Sequence, residues 1–421
     1  MNAEVIAIGD ELLIGQVTDT NSDYIAKRLN LHGVELLRVT RVRDRAGEIT
    51  AAVNESLSRV PVVLLTGGLG PTKDDITKIT LCGIFGGKLV YSPETQASND
   101  ALFARQGKEM NELTRRQAML PDVCTVIPNP IGTAPGMLFR RDGKILVSMP
   151  GVPFEMRNMM ENSVLPIIDR TFPCRGYIMH ATKLVSGFTE SRLATYLNDY
   201  EASLPEAVKL AYLPNMGIIR LRLTVRGSDK EEVASLLSQY SGSLALLLAG
   251  HIVSETDMTP GEALGALLKA RGYTLSTAES CTGGNVAARI VAAAGASQYY
   301  KGGIISYDNS VKTNELGVPA KDLEAFGAVS DTVARSMARG VAMKLSTDCA
   351  IATSGVAGPD GGTAEKPVGT VAISVYRKGE EITRTVKFPP ADREKNIERF
   401  TSAALTMMIE LLMREGGCRT R

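Results

Sequence analysis

The stretch "TLSTAESCTGGNVAARIVAAAG", residues 274–295, decides the fold of the carboxy-terminal third of this chain. A strand-like run ends within "AESCTGG", residues 278–284, and a helical pattern begins near Asn285. A β-strand that turns directly into a helix is the opening of a βαβ unit, in which helices cover a largely parallel sheet. The stretch therefore predicts an α/β domain with hydroxyl, thiol and glycine groups at a strand end.

The surrounding residues continue the same alternation. "TPGEALGALLKARG" opens a helix, because Thr259 suits the cap position, Pro260 the first turn and Glu262 a capping box. Strand-like "GGIISY", "CAIATSG" and "VGTVAISVYR" are separated by helical "DTVARSMARGVAMKL". We predict one α/β domain over residues 257–421.

Residues 1–172 show a second, independent βα alternation. Strand-like "EVIAIG", "LLRVTRV" and "VVLLTGG" are separated by helical "SDYIAKRLNLHG" and "EITAAVNESLSR". The pattern predicts a mostly parallel sheet covered on both faces, with ligands bound outside the carboxyl ends of the strands. The glycine-rich segments "IGDELLIGQ" and "TGGLGPTKDD" lie at such ends.

Residues 173–256 predict a small α+β module that joins the two larger domains. It contains the alternating strand "GIIRLRLTVRG" and the helical "KEEVASLLSQYSGSLALLLAG". Arg220, Arg222 and Arg226 fit a solvated sheet face better than a nucleic-acid patch. No GxxG loop lies between two predicted helices of this module, so no specific feature supports the binding of RNA or DNA.

Composition limits the classes of function that remain. The 421 residues contain 47 Lys and Arg against 46 Asp and Glu, so no global charge recruits nucleic acid or an anionic membrane. Six scattered cysteines form no CxxC pair and predict reduced thiols. Without a leader-like amino terminus or a run of about 20 apolar residues, we expect a soluble, cytoplasmic protein.

The turn at Ser280 is a candidate nucleophile site. Backbone N–H groups before the helix suit an oxyanion or a phosphate, although Ser280 or Thr282 equally suits a helix cap. The histidines, His32, His180 and His251, all lie outside this domain, which excludes a Ser-His-Asp triad there. Lys312, with Tyr307, follows the strand of "GGIISYDNSVK" and suits a base if its pKa is lowered; the alternative is a solvated surface lysine.

The first domain offers a phosphate and metal site. "TGGLGPTKDDIT" carries glycine N–H donors followed by Asp74 and Asp75, and Asp10 and Glu11 follow the first strand. Carboxylates from two strand ends can converge on one divalent cation beside a phosphate. The alternative for Asp75 is a helix-start residue that the helix dipole favours.

Three ordered motifs in residues 258–415 resemble the carboxy-terminal domain of the CinA family. They are "TAESCTGG", "GGIISYDNSVK" and "SGVAGPDGG" followed by "EKPVGTV". The resemblance implies a nicotinamide mononucleotide deamidase without a cofactor, with Ser280 as nucleophile assisted by Tyr307 and Lys312. In that chemistry, N–H groups around Thr282, Gly283 and Gly284 are expected to stabilise the oxyanion. Because adjacent side chains do not easily share one direction, Cys281 is expected to point elsewhere and to pack as a small apolar residue.

A glycine loop is the candidate binding site for the phosphate or ribose of that substrate. It runs from Gly355 to Gly362 and includes Gly358 and Gly361. Backbone donors in such a loop suit a phosphate, and the alternative is a plain tight turn.

Residues 1–170, through the motifs above with "NPIGTAPG" and "SMPGVPFEM", resemble the molybdopterin-binding-like domain of the same family. This implies hydrolysis of ADP-ribose to AMP and ribose 5-phosphate with a divalent metal, Co²⁺ or Mg²⁺, and K⁺. The implied metal residues are Asp10, Asp74 and Glu155, and the implied phosphate cradle is Gly67, Gly68 and Gly70. The alternative for this domain is a molybdopterin binder, because one fold serves several reactions.

The full-length resemblance also implies a KH-like middle module and a homodimer. The predicted class is therefore α/β, with two three-layer α/β domains joined by a small α+β module. We expect small nucleotides as partners, and neither nucleic acid nor a membrane. A non-catalytic DNA-uptake or recombination partner is the alternative function, against which the near-zero net charge stands.

Overall fold

The computed structural model describes residues 1–70, 72, 76–173, 176–215 and 217–414. Contacts divide the chain into two compact units. One contains Met1–Met179 with Val225–Ser235, and the other contains His180–Thr224 with Leu236–Arg421. The described residues contain no helix that is both long enough and apolar enough to cross a membrane.

A six-stranded sheet organises the first unit. Its strands are β1 (Asn2–Ile8), β2 (Glu35–Val42), β3 (Val62–Thr66), β6 (Thr125–Ile127), β7 (Gly136–Arg141) and β8 (Lys144–Met149), while β4 (Leu89–Tyr91) and β5 (Met119–Pro121) form a separate pair. The order is β2-β1-β3-β8-β7-β6. Strands β2, β1, β3 and β8 are parallel, and β7 and β6 are antiparallel additions.

Helices cover both faces of this sheet, as the alternating pattern predicts. They are α1 (Asp10–Leu13), α2 (Thr20–Leu31), α3 (Ala46–Arg59), α4 (Thr77–Ile84), α5 (Pro93–Gln106), α6 (Glu112–Arg115), α7 (Pro153–Met159) and α8 (Leu165–Thr171). Successive side chains of β1 point to opposite faces of the sheet and belong to different buried clusters. Val5 is in the same cluster as Ile25 of α2, and Ile6 is in the same cluster as Ile49 of α3. Because residues on both faces of β1 are buried, the sequence of this strand is a run of mostly apolar, β-branched residues.

The middle of the chain forms a four-stranded sheet of order β10-β11-β9-β12. Its strands are β9 (Tyr177–Ser186), β10 (Val208–Asn215), β11 (Ile218–Gly227) and β12 (Ile252–Ser254), and its helices are α9 (Glu190–Tyr196), α10 (Asn198–Ala202) and α11 (Lys230–Leu247). Strand β11 alternates as the sequence predicts, with Leu221, Leu223 and Val225 buried. This is the small α+β module of the prediction.

A five-stranded sheet of order β14-β13-β15-β16-β17 organises the carboxy-terminal part. Its strands are β13 (Leu275–Glu279), β14 (Tyr300–Ile305), β15 (Cys349–Gly355), β16 (Thr370–Arg377) and β17 (Glu380–Lys387). Its helices are α12 (Pro260–Arg271), α13 (Asn285–Val291), α14 (Asn309–Leu316), α15 (Ala320–Phe326), α16 (Asp331–Lys344) and α17 (Arg393–Met413). Strands β14, β13 and β15 are parallel, and β16 and β17 are antiparallel.

Two buried clusters lie on opposite faces of this sheet. One includes Leu264 of α12 and Phe400 of α17, and the other includes Met337 of α16. The capping box at the start of α12 forms as predicted, because Thr259 and Glu262 exchange side-chain to backbone hydrogen bonds. The predicted class, two three-layer α/β domains and a small α+β module, is confirmed.

Candidate functional sites

Parallel pairing brings the ends of β13, β14 and β15 together at one edge of the third sheet. Glu279 pairs with Ile305 on one side and with Thr353 on the other. The Ser280 N–H donates to the Thr353 carbonyl at 2.9 Å, and the Ser306 N–H donates to the Glu279 carbonyl at 2.8 Å. The predicted nucleophile and the segment that carries Tyr307 and Lys312 therefore leave adjacent strands.

The Glu279 carboxylate organises the turn that follows it. Its side chain is 1% exposed. One carboxylate oxygen, Oε2, accepts from the Thr282 hydroxyl at 2.7 Å, the Gly284 N–H at 2.9 Å and the Val286 N–H at 3.0 Å. The other oxygen, Oε1, accepts from the Ala287 N–H at 2.8 Å. A buried carboxylate thus satisfies the first N–H groups of α13 that otherwise lack helical partners.

For Gly283 and Gly284, this arrangement corrects the prediction that the N–H groups at this turn are available for an oxyanion. The Gly284 N–H is bound by Glu279, and the Gly283 N–H donates to the Ser280 carbonyl at 3.1 Å. The alternative that Ser280 or Thr282 caps α13 is also wrong, because Gly284 occupies the cap position and no side-chain cap forms there. The N–H groups of Gly283 and Gly284 thus have protein acceptors in this structure, and the Thr282 hydroxyl also donates to Glu279.

Ser280 and Cys281 differ in environment. Ser280 is 9% exposed, whereas Cys281 is part of the apolar core with Val286 and Ile290. Burial raises the pKa of the Cys281 thiol to about 12, partly offset by the nearby Lys312 charge. A thiol of that pKa stays protonated and non-nucleophilic at neutral pH. The prediction that Cys281 packs as a small apolar residue is confirmed.

Lys312 is buried at the start of α14 with only 1% of its surface exposed, so the alternative of a solvated lysine is wrong. Its Nζ donates to the carbonyls of Ser306 at 2.9 Å and Tyr307 at 3.2 Å. Burial lowers the pKa of Lys312, and the Asp308 charge opposes this shift in part. Burial favours the neutral form of the amine, which is the form that accepts a proton.

Tyr307 lies at the surface, 60% exposed, and its hydroxyl accepts from Arg393 at 2.9 Å. Arg393 also donates to the Gly358 carbonyl at 2.6 Å, so it joins the tyrosine to the predicted glycine loop. The sequence analysis missed Arg393, since a lone arginine before a long helix carries no motif signal.

A groove of about 610 Å³ runs along this region of the third sheet. Its lining residues are Thr282, Gly283, Gly284, Asn285, Ala288, Arg393, Glu394, Ile397 and Glu398. None of the predicted loop glycines, Gly355, Gly358 and Gly361, lines the groove. The Gly358 carbonyl accepts a hydrogen bond from Arg393, which does line it. Backbone bonds between Val356 and both Gly369 and Thr370 hold the base of this loop.

The first sheet carries a separate cavity of about 370 Å³ at the ends of β1 and β3. It is lined by the predicted glycines Gly67, Gly68 and Gly70, with Glu11, Asp19, Asn21 and Asp44 from neighbouring loops. A Cβ at Gly67 would lie 2.1 Å from the Ile8 carbonyl oxygen, and φ is +108° there. Only glycine therefore permits this approach of β1 and β3.

Buried polar atoms without partners face or adjoin this cavity. The Asn21 Nδ2 donates to the Thr66 hydroxyl at 2.9 Å and to the Gly151 carbonyl at 2.8 Å, while its Oδ1 has no partner in the described part of the chain. The buried Thr77 hydroxyl, which a Cβ at Gly68 would touch, also has none among the residues that the structure describes. Unsatisfied buried polar atoms are rare, and at a cavity they suit a polar ligand. The sequence analysis missed both residues.

The predicted metal residues do not share one location in the described structure. Asp10 is exposed at the first position of α1 and does not line the cavity, whereas its neighbour Glu11 does. Glu155 accepts from Asn129 at 2.7 Å, beside Gly132, and burial raises the pKa of Glu155. Asp74 and Asp75 lie outside the described residues. Within the residues described, no three acidic, His or Cys side chains are grouped to hold a metal.

These features define a class of protein that contains two α/β domains, each with a polar site at the carboxyl ends of parallel strands. A small α+β module lies between the two domains in the sequence. Family models match all three parts. The CinA C-terminal domain matches residues 258–412, a probable molybdopterin binding domain matches residues 4–170, and the damage-inducible protein CinA KH domain matches residues 182–253.

The chain belongs to the CinA family. It is 40% identical over 413 residues to a CinA-like protein of Cytophaga hutchinsonii, covering 98% of each chain. It is 41% identical over 420 residues to a CinA-like protein of Chloroherpeton thalassium, covering 98% of this chain and 99% of that one. A crystal structure of a competence-damaged protein (CinA) superfamily protein from Escherichia coli is 34% identical, covers 36% of this chain and 88% of its own, and has a TM-score of 0.35.

Proposed function

We propose that the carboxy-terminal site deamidates nicotinamide mononucleotide to nicotinate mononucleotide and ammonia. The burial of Lys312 beside the strand that precedes Tyr307 carries this proposal. A neutral amine has two N–H groups and one lone pair. Because two N–H groups satisfy the carbonyls of Ser306 and Tyr307, the lone pair remains to accept a proton.

The proposed reaction has two halves. The Ser280 hydroxyl attacks the carboxamide carbon and passes its proton to the neutral Lys312 amine, which returns it to the departing ammonia. The resulting ester is then cleaved by water, whose hydroxyl joins the carbonyl carbon and whose proton returns to Ser280. The exposed phenol of Tyr307 is proposed to orient the substrate. No cofactor enters this scheme.

The first test is ammonia release from nicotinamide mononucleotide by the purified chain. Wild type is expected to release ammonia, and Ser280→Ala and Lys312→Met to lose activity by about 100-fold or more, the range of general base and nucleophile contributions. Cys281→Ala is the matched control, because its thiol is inert and buried. Equal activity in Ser280→Ala and wild type would disprove the nucleophile assignment.

For the amino-terminal domain we propose hydrolysis of ADP-ribose to AMP and ribose 5-phosphate, with Gly67, Gly68 and Gly70 as the phosphate cradle. The glycine-lined cavity supports a polar ligand there, as do the buried Asn21 and Thr77 oxygens, which lack partners among the described residues. The described side chains do not by themselves form a metal-binding group. A requirement for Co²⁺ or Mg²⁺ with K⁺, through Asp10, Asp74 and Glu155, stays a prediction, which chelation followed by metal readdition tests.

A second candidate for this domain is molybdopterin binding, which the matched family model favours by its description. Parallel titrations with ADP-ribose and molybdopterin separate the two. We further propose the domain boundaries 1–172, 173–256 and 257–421, a cytoplasmic location and a homodimer without nucleic-acid or membrane partners. Light scattering that reports a monomer would refute the dimer, and salt-sensitive DNA binding would revive a DNA-linked role.

A further inference from the structure

Arg393 is a cation of the carboxy-terminal groove that the proposed reaction does not use. Its guanidinium lines the groove together with the turn at Thr282–Asn285, directly after Ser280. Among the residues that the structure describes, no carboxylate lies within ion-pair distance of it. Two of its five N–H donors bind the Gly358 carbonyl and the Tyr307 hydroxyl, which leaves three donors in a fixed orientation.

The other groups of the groove do not offer a site for an anion. The N–H groups of Gly284, Val286 and Ala287 at the start of α13 are already bound by the Glu279 carboxylate. Glu398 is paired with Arg289 at 2.7 Å, and Glu394 is itself acidic. Among the described residues that line the groove, the positive charge available to a ligand is therefore that of Arg393.

We infer that Arg393 is the phosphate-binding, specificity-determining residue of the site, with a phosphomonoester as the group it selects. Arginine binds phosphate through parallel N–H donors, and its two fixed contacts reduce the entropy lost when the ligand binds. The groove that Arg393 lines also includes Thr282, two residues after Ser280, so the inference is that a ligand whose amide lies at Ser280 reaches Arg393 with its phosphate. This inference rests on the proposed deamidation, since it assigns the part of the substrate that distinguishes a nucleotide from a nucleoside.

The test compares ammonia release from nicotinamide mononucleotide and from nicotinamide riboside, which lacks the phosphate, using the full chain. In Arg393→Met, kcat/KM for the mononucleotide is expected to fall about 10- to 100-fold, the value of hydrogen bonds to a charged group. The riboside rate is expected to change less than about threefold. Arg399→Met is the matched control, because Arg399 lies on the same helix and binds the Pro389 carbonyl outside the groove.

Equal losses with both substrates would overturn the inference and leave Arg393 as a positioning residue for Tyr307. Tyr307→Phe isolates that contact, and its effect is expected to be the same for both substrates. If wild type deamidates neither substrate, the proposed reaction is wrong, and calorimetric titration with inorganic phosphate tests Arg393 alone. Weaker phosphate binding by Arg393→Met than by wild type supports the inference, and equal or absent binding in both proteins refutes it.

Discussion

Replacement of Glu279 by glutamine tests how much the buried carboxylate contributes to the turn at Ser280. If the amide oxygen takes the place of Oε2, it keeps the contacts with Thr282, Gly284 and Val286, and the amide nitrogen then faces the Ala287 N–H. The unpaired buried N–H costs about 1–3 kcal/mol. The three remaining bonds lose the strength that charge adds, about 0.5–1 kcal/mol each.

The easier burial of a neutral amide offsets part of this loss. A net decrease of about 2–4 kcal/mol in the free energy of unfolding remains, which corresponds to a melting temperature lower by about 5 °C or more. Differential scanning calorimetry measures this shift in the full chain. Hydrogen exchange adds a local measurement, because the amides of Gly284, Val286 and Ala287 are expected to exchange faster in Glu279→Gln.

Glu262→Gln is the matched control for this experiment. Glu262 also accepts at a helix start, from the Thr259 N–H at 2.7 Å, but it is exposed, and its loss is expected to cost about 1 kcal/mol or less. A Glu279→Gln melting temperature no lower than that of Glu262→Gln, with unchanged amide exchange, would refute the assigned role of the carboxylate.

Three further results are expected. Burial lowers the pKa of Lys312 in the folded protein, so the unfolded chain binds the Lys312 proton more tightly. The free energy of unfolding is therefore expected to rise with pH between the pKa of Lys312 in the folded protein and its ordinary value of 10.5. Lys312→Met is expected to remove this rise, measured by urea unfolding at pH 7 and pH 9.5. Gly67→Ala places a methyl 2.1 Å from the Ile8 carbonyl at positive φ, and is expected to lower the melting temperature by several degrees and abolish ligand binding in the first cavity. Thr77→Val replaces with a methyl a buried hydroxyl that has no partner among the described residues. The change is expected to leave the melting temperature unchanged or raise it, while weakening ADP-ribose binding in titration.

Local periodicity predicted the elements well because each carries a complete signal in adjacent residues. The strand at Leu275–Glu279, the helix from Asn285 and the capping box at Thr259 all follow from neighbours within about five positions. The antiparallel strands β7 and β16 were less predictable in orientation. Pairing direction depends on partners far along the chain, which periodicity does not encode.

For the candidate sites, the sequence likewise predicts residues but not the contacts between their atoms. The sequence identified Ser280, Tyr307 and Lys312 by motif, but it did not reveal that Glu279 binds the turn's N–H groups or that Arg393 reaches Tyr307. Arg393 is 86 residues from Tyr307, so only the fold brings them together. In the first domain, Thr77 and Asn21 carry no motif, and only the structure shows that each buries an oxygen without a partner among the described residues.

The burial of Cys281 has a practical consequence for chemical labelling of this protein. Iodoacetamide, maleimides and peroxide all react with thiolates, and a thiol of pKa about 12 in an apolar core offers almost none at neutral pH. An activity-based probe for this site therefore needs a hydroxyl-directed warhead such as a fluorophosphonate. Labelling that disappears in Ser280→Ala but persists in Cys281→Ala would report the reactive oxygen directly.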